Sequence, residues 1–226
     1  MPNNLAGIVT NLTMKTEINL KATLTATVIT LGSLTGGVNG ATIIDTTGEA
    51  DRTISTWGPN GSEHYGQVIE APASETQLDS FTFSIGDRAA SFNATFAVAT
   101  WTGTSVETVL YSEAFTVTST AGNFLDYTFS GLSVPVTAGF NYIAYVSADQ
   151  GGTGGVEMVG VGAGSANPLA IDFAYNNGTD TTTPWSTWSI GDTSFRAEFS
   201  SIPEPSTSLL LGLGALGLAS RRRRSN

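Results

Sequence analysis

Short runs in which apolar and polar residues alternate are the feature that most constrains the fold of this chain. In "LDSFTFSIG" and "SFNATFAVATW", apolar side chains occupy every second position, with Ser, Thr, Asn or Ala between them. A period of two places alternate side chains on one face of a β-strand. The apolar members of such runs are Phe81, Phe83, Ile85, Phe92, Ala94, Phe96, Val98, Val109, Tyr111, Phe115, Val117, Tyr127, Phe129, Tyr142, Ala144, Val146, Phe195, Ala197 and Phe199. The pattern predicts an all-β domain.

Gly, Asn, Asp and Pro separate these runs between residues 41 and 201. Their spacing predicts about eight to ten strands. Two facing antiparallel sheets would bury the alternating aromatic residues and leave Thr and Ser outside. The expected fold is an antiparallel β-sandwich with jelly-roll topology, and a different sandwich topology is the alternative.

Composition excludes several classes of site. The chain has no Cys and one His, so disulfides, cysteine-based zinc or iron–sulfur sites and metal sites built on two or three histidines are excluded. A formal net charge of −10 argues against nucleic acid as a partner, because binding to a phosphate backbone depends on Lys and Arg.

The charges are unevenly distributed along the chain. Residues 41–201 hold 17 acidic and three basic side chains, a net charge of −14. Lys15 and Lys21 lie before this segment, and Arg221–Arg224 lie after it. This distribution is typical of a translocated domain that stands between two membrane-directed signals.

Residues 1–40 are predicted to be a leader and a secretory signal peptide. Lys15 and Lys21 form the basic N-terminal region of this signal, and residues 22–34 form a modestly apolar central region. Residues that are small, or that a signal-peptide cleavage site tolerates, precede the expected cut at Ala41. No basic residue lies before Met14, so Met14 is the expected true start. A buried helix or first strand of the domain is the alternative.

Residues 202–226 are predicted to be a sorting tail. Its apolar run, Leu209–Ala219, has 11 residues. At ~1.5 Å per residue this run reaches about 16 Å, half of a ~30 Å hydrocarbon core. Arg221, Arg222, Arg223 and Arg224 would hold its end on the cytoplasmic side. A short transmembrane helix that anchors the chain temporarily in the inner membrane is expected.

Pro203-Glu204-Pro205, the short apolar helix and the terminal arginine cluster together resemble the PEP-CTERM sorting signal of Gram-negative bacteria. The resemblance implies recognition by an exosortase, a membrane-embedded cysteine transpeptidase, coupled to exopolysaccharide export and biofilm formation. It also implies processing near the prolines and delivery to the cell surface or extracellular matrix. A GPI-type tail is the nearest rival, but four terminal arginines do not fit it.

No catalytic residue is assigned. His64 is the only histidine, no Gly-x-Ser-x-Gly motif is present, and we expect His64 to be a solvent-exposed loop residue. Paired carboxylates could support a glycosidase or lyase, although sequence does not show which of the 17 acids face each other.

Calcium is the one cofactor that the loops suggest. Asp149, Asn176 and Asp180 are weak candidate ligands, because Asp, Asn and backbone oxygens suit this ion. An Asn-Gly turn with polar neighbours is the alternative. No other cofactor and no metal site is expected.

Three tryptophans in turn-rich stretches are candidate glycan contacts: Trp57 in "STWGPNG", and Trp185 and Trp188 in "TTTPWSTWSIG". Sugars stack their C–H faces on exposed aromatic rings. Trp185 and Trp188 are three residues apart, so a strand would direct them to opposite faces. Packing in the core or at its rim is the alternative for each.

These observations predict a non-enzymatic surface or extracellular-matrix protein with a structural or adhesive role linked to exopolysaccharide or biofilm. A lectin-like carbohydrate-binding module is the first alternative. A carboxylate-dependent polysaccharide hydrolase or lyase is the second. The expected partners are an exosortase and polysaccharide.

Overall fold

Two antiparallel β-sheets pack face to face in the computed structural model, which describes residues 41–149, 154–188 and 191–202. The predicted leader, signal peptide, sorting motif and arginine cluster lie outside the described residues. Within those ranges no helix has the length and apolar character needed to cross a bilayer. The antiparallel β-sandwich is confirmed, and its jelly-roll topology stays a prediction.

The strands of sheet A are β1 (Thr42–Asp45), β2 (Arg52–Trp57), β4 (Gln77–Gly86), β7 (Phe124–Pro135), β9 (Val156–Val161), β12 (Asp192–Thr193) and β13 (Phe195–Ser200). Their order is β1-β13-β4-β9-β12, with β2 also paired to β9 and β7 also paired to β4. A 3-10 helix, Thr47–Glu49, follows β1.

The strands of sheet B are β3 (His64–Glu70), β5 (Ala90–Trp101), β6 (Val106–Ser119), β8 (Asn141–Ala148), β10 (Ala170–Asn176) and β11 (Ser186–Trp188). Their order is β11-β10-β3-β8-β5-β6. The described residues thus contain thirteen strands, more than the sequence predicts, because β1, β11 and β12 have only two to four residues each.

The core lies between the sheets and consists mainly of the alternating residues of β4, β5 and β13. Phe81, Phe83 and Phe195 are fully buried, and Phe81 stacks on Phe195 with ring centroids 5.2 Å apart. Val109 is an exception to the predicted pattern, because it lies on the edge strand β6 and is 49% exposed.

A second apolar cluster covers part of the outer face of sheet B. Val68, Ile143, Tyr145 and Ala174 are buried there together with Trp185. Strand β8 is consequently buried on both faces, and not on one face as simple alternation predicts. Trp185 follows the turn after β10, so the segment that joins β10 to β11 folds back over the outer face of sheet B.

A buried polar contact joins the two sheets. Gln67 of β3 donates from Nε2 to Asp192 Oδ1 of β12 at 2.8 Å, and its Oε1 accepts from the Thr193 amide at 2.8 Å. Asp192 Oδ2 accepts a further hydrogen bond from the Ser165 amide at 2.5 Å. Gln67 and Asp192 are almost inaccessible to solvent, so their pairing is needed to offset the loss of hydration.

Hydrogen bonds hold the chain at the C-terminal end of β13. The Thr76 amide donates to the Ser200 carbonyl at 3.1 Å, and the Ile202 amide donates to Thr76 Oγ1 at 3.0 Å. The described fold therefore constrains the backbone as far as Ile202.

Candidate functional site

A solvent-open cleft lies at one edge of the sandwich, between β2 of sheet A and β3, β10 and β11 of sheet B. We call it the aromatic cleft. Its volume is about 370 Å³, and its lining is rich in rings and hydroxyls. The lining residues are Ile54, Ser55, Ser62, Tyr65, Phe173, Tyr175, Thr187 and Trp188.

Strand register brings the four rings of the aromatic cleft together. Tyr175 lies opposite Tyr65 in the β10–β3 pair, and Phe173 lies opposite Trp188 in the β10–β11 pair. Phe173 is central: its ring centroid is 4.9 Å from Tyr65, 6.0 Å from Tyr175 and 6.2 Å from Trp188. Because β11 ends the sheet, Tyr175 and Trp188 remain half-buried whereas Tyr65 and Phe173 are buried.

The polar groups of the aromatic cleft are uncharged. Ser55, Ser62 and Thr187 bring hydroxyls to its lining. The Tyr65 hydroxyl donates to the Ser55 carbonyl at 2.8 Å, which ties sheet B to β2. Burial raises the pKa of Tyr65, so its phenol stays protonated at neutral pH. The site can therefore stack and hydrogen-bond a ligand, without an ionic contact.

Of the three tryptophans predicted to contact glycan, only Trp188 lines the aromatic cleft. Trp57 has no exposed surface, which corrects its expected place in a loop. It ends β2, packs edge-on against Phe92 at 5.3 Å and donates from Nε1 to the Glu63 carbonyl at 3.0 Å. A sugar therefore has no access to the Trp57 ring in this structure.

Trp185 is also buried, with 5% of its surface exposed. It lies on the outer face of sheet B, 5.5 Å from Tyr145 and 6.0 Å from Trp101 between ring centroids. Its Nε1 donates to the Thr181 carbonyl at 2.8 Å. Trp185 and Trp188 thus pack against opposite faces of sheet B, as their spacing predicts, and Trp185 lacks a free ring face.

The prediction that His64 is an exposed loop residue is wrong. His64 begins β3, is 6% exposed and lies opposite Ser147 of β8 in strand register. Its Nδ1 is 2.7 Å from Ser147 Oγ, while its Nε2 is 4.0 Å from Glu63 Oε2. Burial lowers the pKa of His64, against smaller opposing effects that include the Glu63 and Asp180 carboxylates.

The His64–Ser147 contact resembles part of a catalytic triad, but the described residues supply its imidazole with no hydrogen-bonded carboxylate. The Trp185 ring covers the imidazole, with centroids 5.8 Å apart. Glu63 is too distant to hydrogen-bond and orient the ring. Sequence reasoning missed this pair because the two residues are 83 positions apart and meet only through the β3–β8 register.

Two of the candidate calcium ligands are used within their own loop. Asn176 Oδ1 accepts from the Gly178 amide at 2.6 Å, and its Nδ2 donates to Thr183 Oγ1 at 2.9 Å. Asp180 Oδ1 accepts from both the amide and the hydroxyl of Thr182 at 2.8 Å.

Asp149 is exposed, and it immediately precedes residues 150–153, which lie outside the described residues. No group of three or more His, Cys, Asp or Glu side chains among the described residues could hold a metal ion. A calcium site stays a prediction.

A second depression, of about 470 Å³, lies on the outer face of sheet A. It lacks aromatic side chains, and Arg196 donates within it to Glu198 Oε1 at 2.6 Å. It is lined by Asp45, Thr47, Ser80, Thr82, Asp126, Thr128, Ser130, Arg196 and Glu198. We call it the sheet A groove. Its charged side chains distinguish it from the aromatic cleft.

The C-terminal residues match a known sorting signal. Residues 201–224 match the family model of the PEP-CTERM protein-sorting motif. This match confirms the motif predicted from Pro203-Glu204-Pro205 and the arginine cluster. It implies export of the chain and processing by an exosortase.

The solved structures that this chain matches are distant in sequence. The cysteine protease and lectin-like domains of Cwp84, a surface layer associated protein of Clostridium difficile, are 12% identical over 62% of this chain and 32% of that one, with a TM-score of 0.41. The VP2 subviral particle of infectious bursal disease virus is 13% identical over 82% and 51%, with a TM-score of 0.31. This chain thus spans between a third and about half of their lengths. No curated protein matches the sequence.

Proposed function

We propose that this chain, a PEP-CTERM protein by its sorting motif, is a non-catalytic adhesive protein of the cell surface or extracellular matrix. The aromatic cleft is the site at which it binds polysaccharide, either in the surrounding exopolysaccharide layer or in a biofilm. The cleft acts as a lectin-like site on a structural domain, which combines the adhesive role with carbohydrate binding.

The observation that supports this proposal best is the position of Trp188. Its half-buried ring lines the solvent-open aromatic cleft together with Tyr175, and the Phe173 ring packs edge-on against the Trp188 ring. Ligand sites commonly combine apolar ring surface with a few polar groups that fix orientation. The C–H face of a sugar would stack on Trp188, and its hydroxyls would bond to Ser55, Ser62 or Thr187.

At the aromatic cleft, the hydrolase or lyase alternative has less support. Such an enzyme needs two carboxyl groups flanking the bond that it cleaves. The described lining of the aromatic cleft includes no Asp or Glu. Incubation of the chain with soluble polysaccharides, followed by an assay for reducing ends or unsaturated products, should detect no cleavage.

In this proposal, the signals at the two termini direct the chain to the surface. An exosortase recognises Pro203-Glu204-Pro205 while the apolar segment is held transiently in the inner membrane by Arg221–Arg224. Processing then releases the chain to the outer surface or the matrix. Lys15 and Lys21 belong to the signal that starts export.

Glycan binding tests the proposal directly. The full-length chain, the Trp188→Ala variant and a Thr128→Ala control in the sheet A groove would be applied to the same polysaccharide array. We expect Trp188→Ala to weaken binding by about tenfold or more, since central aromatic contacts dominate most binding sites. Thr128→Ala should bind as the parent does. No binding by the parent chain, or equal binding by all three proteins, would refute the proposal.

A further inference from the structure

The charges of the fold bear on which polysaccharide the aromatic cleft can bind. All the described side chains of its lining are apolar, aromatic or hydroxyl-bearing. An anionic sugar would therefore meet no cationic side chain in the lining. Its carboxylate or sulfate would lose hydration on entry without an ion pair to compensate.

The residues that the structure describes around the cleft offer no unpaired Lys or Arg either. Residues 41–202 contain no Lys and three Arg, and each Arg is paired with a carboxylate. Arg52 lies 3.2 Å from Asp51, and Arg196 lies 2.6 Å from Glu198. Arg88 pairs with Glu157.

Negative charge predominates over the domain as a whole. The net charge of residues 41–201 is −14. Such a charge repels an anionic polymer over roughly a Debye length, about 8–10 Å at physiological salt.

We infer that the aromatic cleft takes neutral polysaccharide and rejects acidic polysaccharide. This inference rests on the proposed function of the cleft as a glycan site and adds the ligand class. A neutral sugar needs only ring stacking and hydroxyl contacts, both of which the cleft supplies. A uronic acid or sulfated sugar adds repulsion without adding a contact.

A matched pair of polymers isolates the effect of charge. The full-length chain would be tested by affinity electrophoresis against dextran and carboxymethyl-dextran, and against hydroxyethylcellulose and carboxymethylcellulose. Each pair keeps one backbone and differs in acidic substituents. We expect the neutral member of at least one pair to bind at least about tenfold more tightly at low salt. Added salt should narrow the difference, because it screens the repulsion.

Variants separate this inference from the proposed function. Trp188→Ala should abolish retardation by the neutral polymer, and Thr128→Ala should preserve it. Equal or tighter binding of the acidic polymer, lost in Trp188→Ala, would overturn the inference and leave the glycan site standing. Absence of binding to every polymer, or binding that Trp188→Ala leaves unchanged, would overturn the proposed function itself.

Discussion

Trp185 and Trp188 are separated by two residues but have different environments. Trp185 is buried in the apolar cluster on the outer face of sheet B, whereas Trp188 is half-buried at the aromatic cleft. Replacing a buried aromatic residue with Ala leaves a cavity that its neighbours cannot fill. The two residues should therefore contribute differently to stability and to binding.

We expect Trp185→Ala to lower the free energy of unfolding by about 3–5 kcal/mol. Trp188→Ala should lower it by less than about 2 kcal/mol, because its ring already contacts solvent. Urea denaturation followed by circular dichroism measures both values. An equal loss of stability in the two variants would contradict the environments described here.

His64 should make the stability of the fold depend on pH. Because burial lowers its pKa in the folded state, the unfolded chain takes up the proton first as pH falls. The stabilisation is fully present above the unfolded pKa of about 6.5 and is lost as pH falls through the lower folded pKa.

The prediction is tested by comparing the parent chain with His64→Gln, which cannot titrate. Between pH 7.5 and 5, the parent should lose more unfolding free energy than the variant does. The carboxylates titrate in both proteins, so the difference between them isolates the imidazole. Parallel pH profiles would show that His64 is not the titrating group.

At the scale of strands, the contact between β3 and β12 holds the two sheets together through a buried amide and carboxylate. Asp192→Ala removes the acceptor of both the Gln67 side chain and the Ser165 amide. A buried donor without its partner costs about 1–3 kcal/mol. We expect Asp192→Ala to lower the unfolding free energy by at least that amount, as measured by urea denaturation.

Asp192→Asn is the matched control. The side-chain carbonyl of Asn can still accept a hydrogen bond from Gln67, but its side-chain NH₂ group cannot accept one from the Ser165 amide. Its stability should therefore lie between those of the parent and Asp192→Ala. A parent-like stability in both variants would mean that this contact does not help to join the sheets.

Alternation in the sequence is sufficient to predict the strands that supply most of the core. β4, β5 and β13 bury their predicted apolar residues, because each strand has one face toward the core. The shortest strands, β11 and β12, have too few residues for a periodic pattern. The second cluster on sheet B was also missed, because it depends on a chain segment that folds back after β10.

The candidate site was predicted only in part. Trp188 was identified because tryptophan in a turn-rich stretch is conspicuous. Tyr65, Phe173 and Tyr175 were not, because they lie in strands where aromatic residues usually indicate core. What makes them a site is the short edge strand β11, which leaves the cleft open. That depends on strand order, which the sequence does not show directly.

For the molecule as a whole, the sorting motif predicts that the mature chain is shorter than the translated one. Mass spectrometry of protein recovered from the host surface or medium should show loss of residues before Ala41 and of Arg221–Arg224. The expected C-terminal boundary lies near Pro203–Pro205. Mature protein that still ends in "RRRRSN" would contradict processing.

The hydrogen bonds around Thr76 have a mechanical consequence for a chain attached at its processed end. Tension that reaches Ile202 passes into β13, which ends two residues before it. β13 is an interior strand, bonded to β1 on one side and β4 on the other. A pull along its axis loads both ladders in shear, so many bonds share the force and must break together.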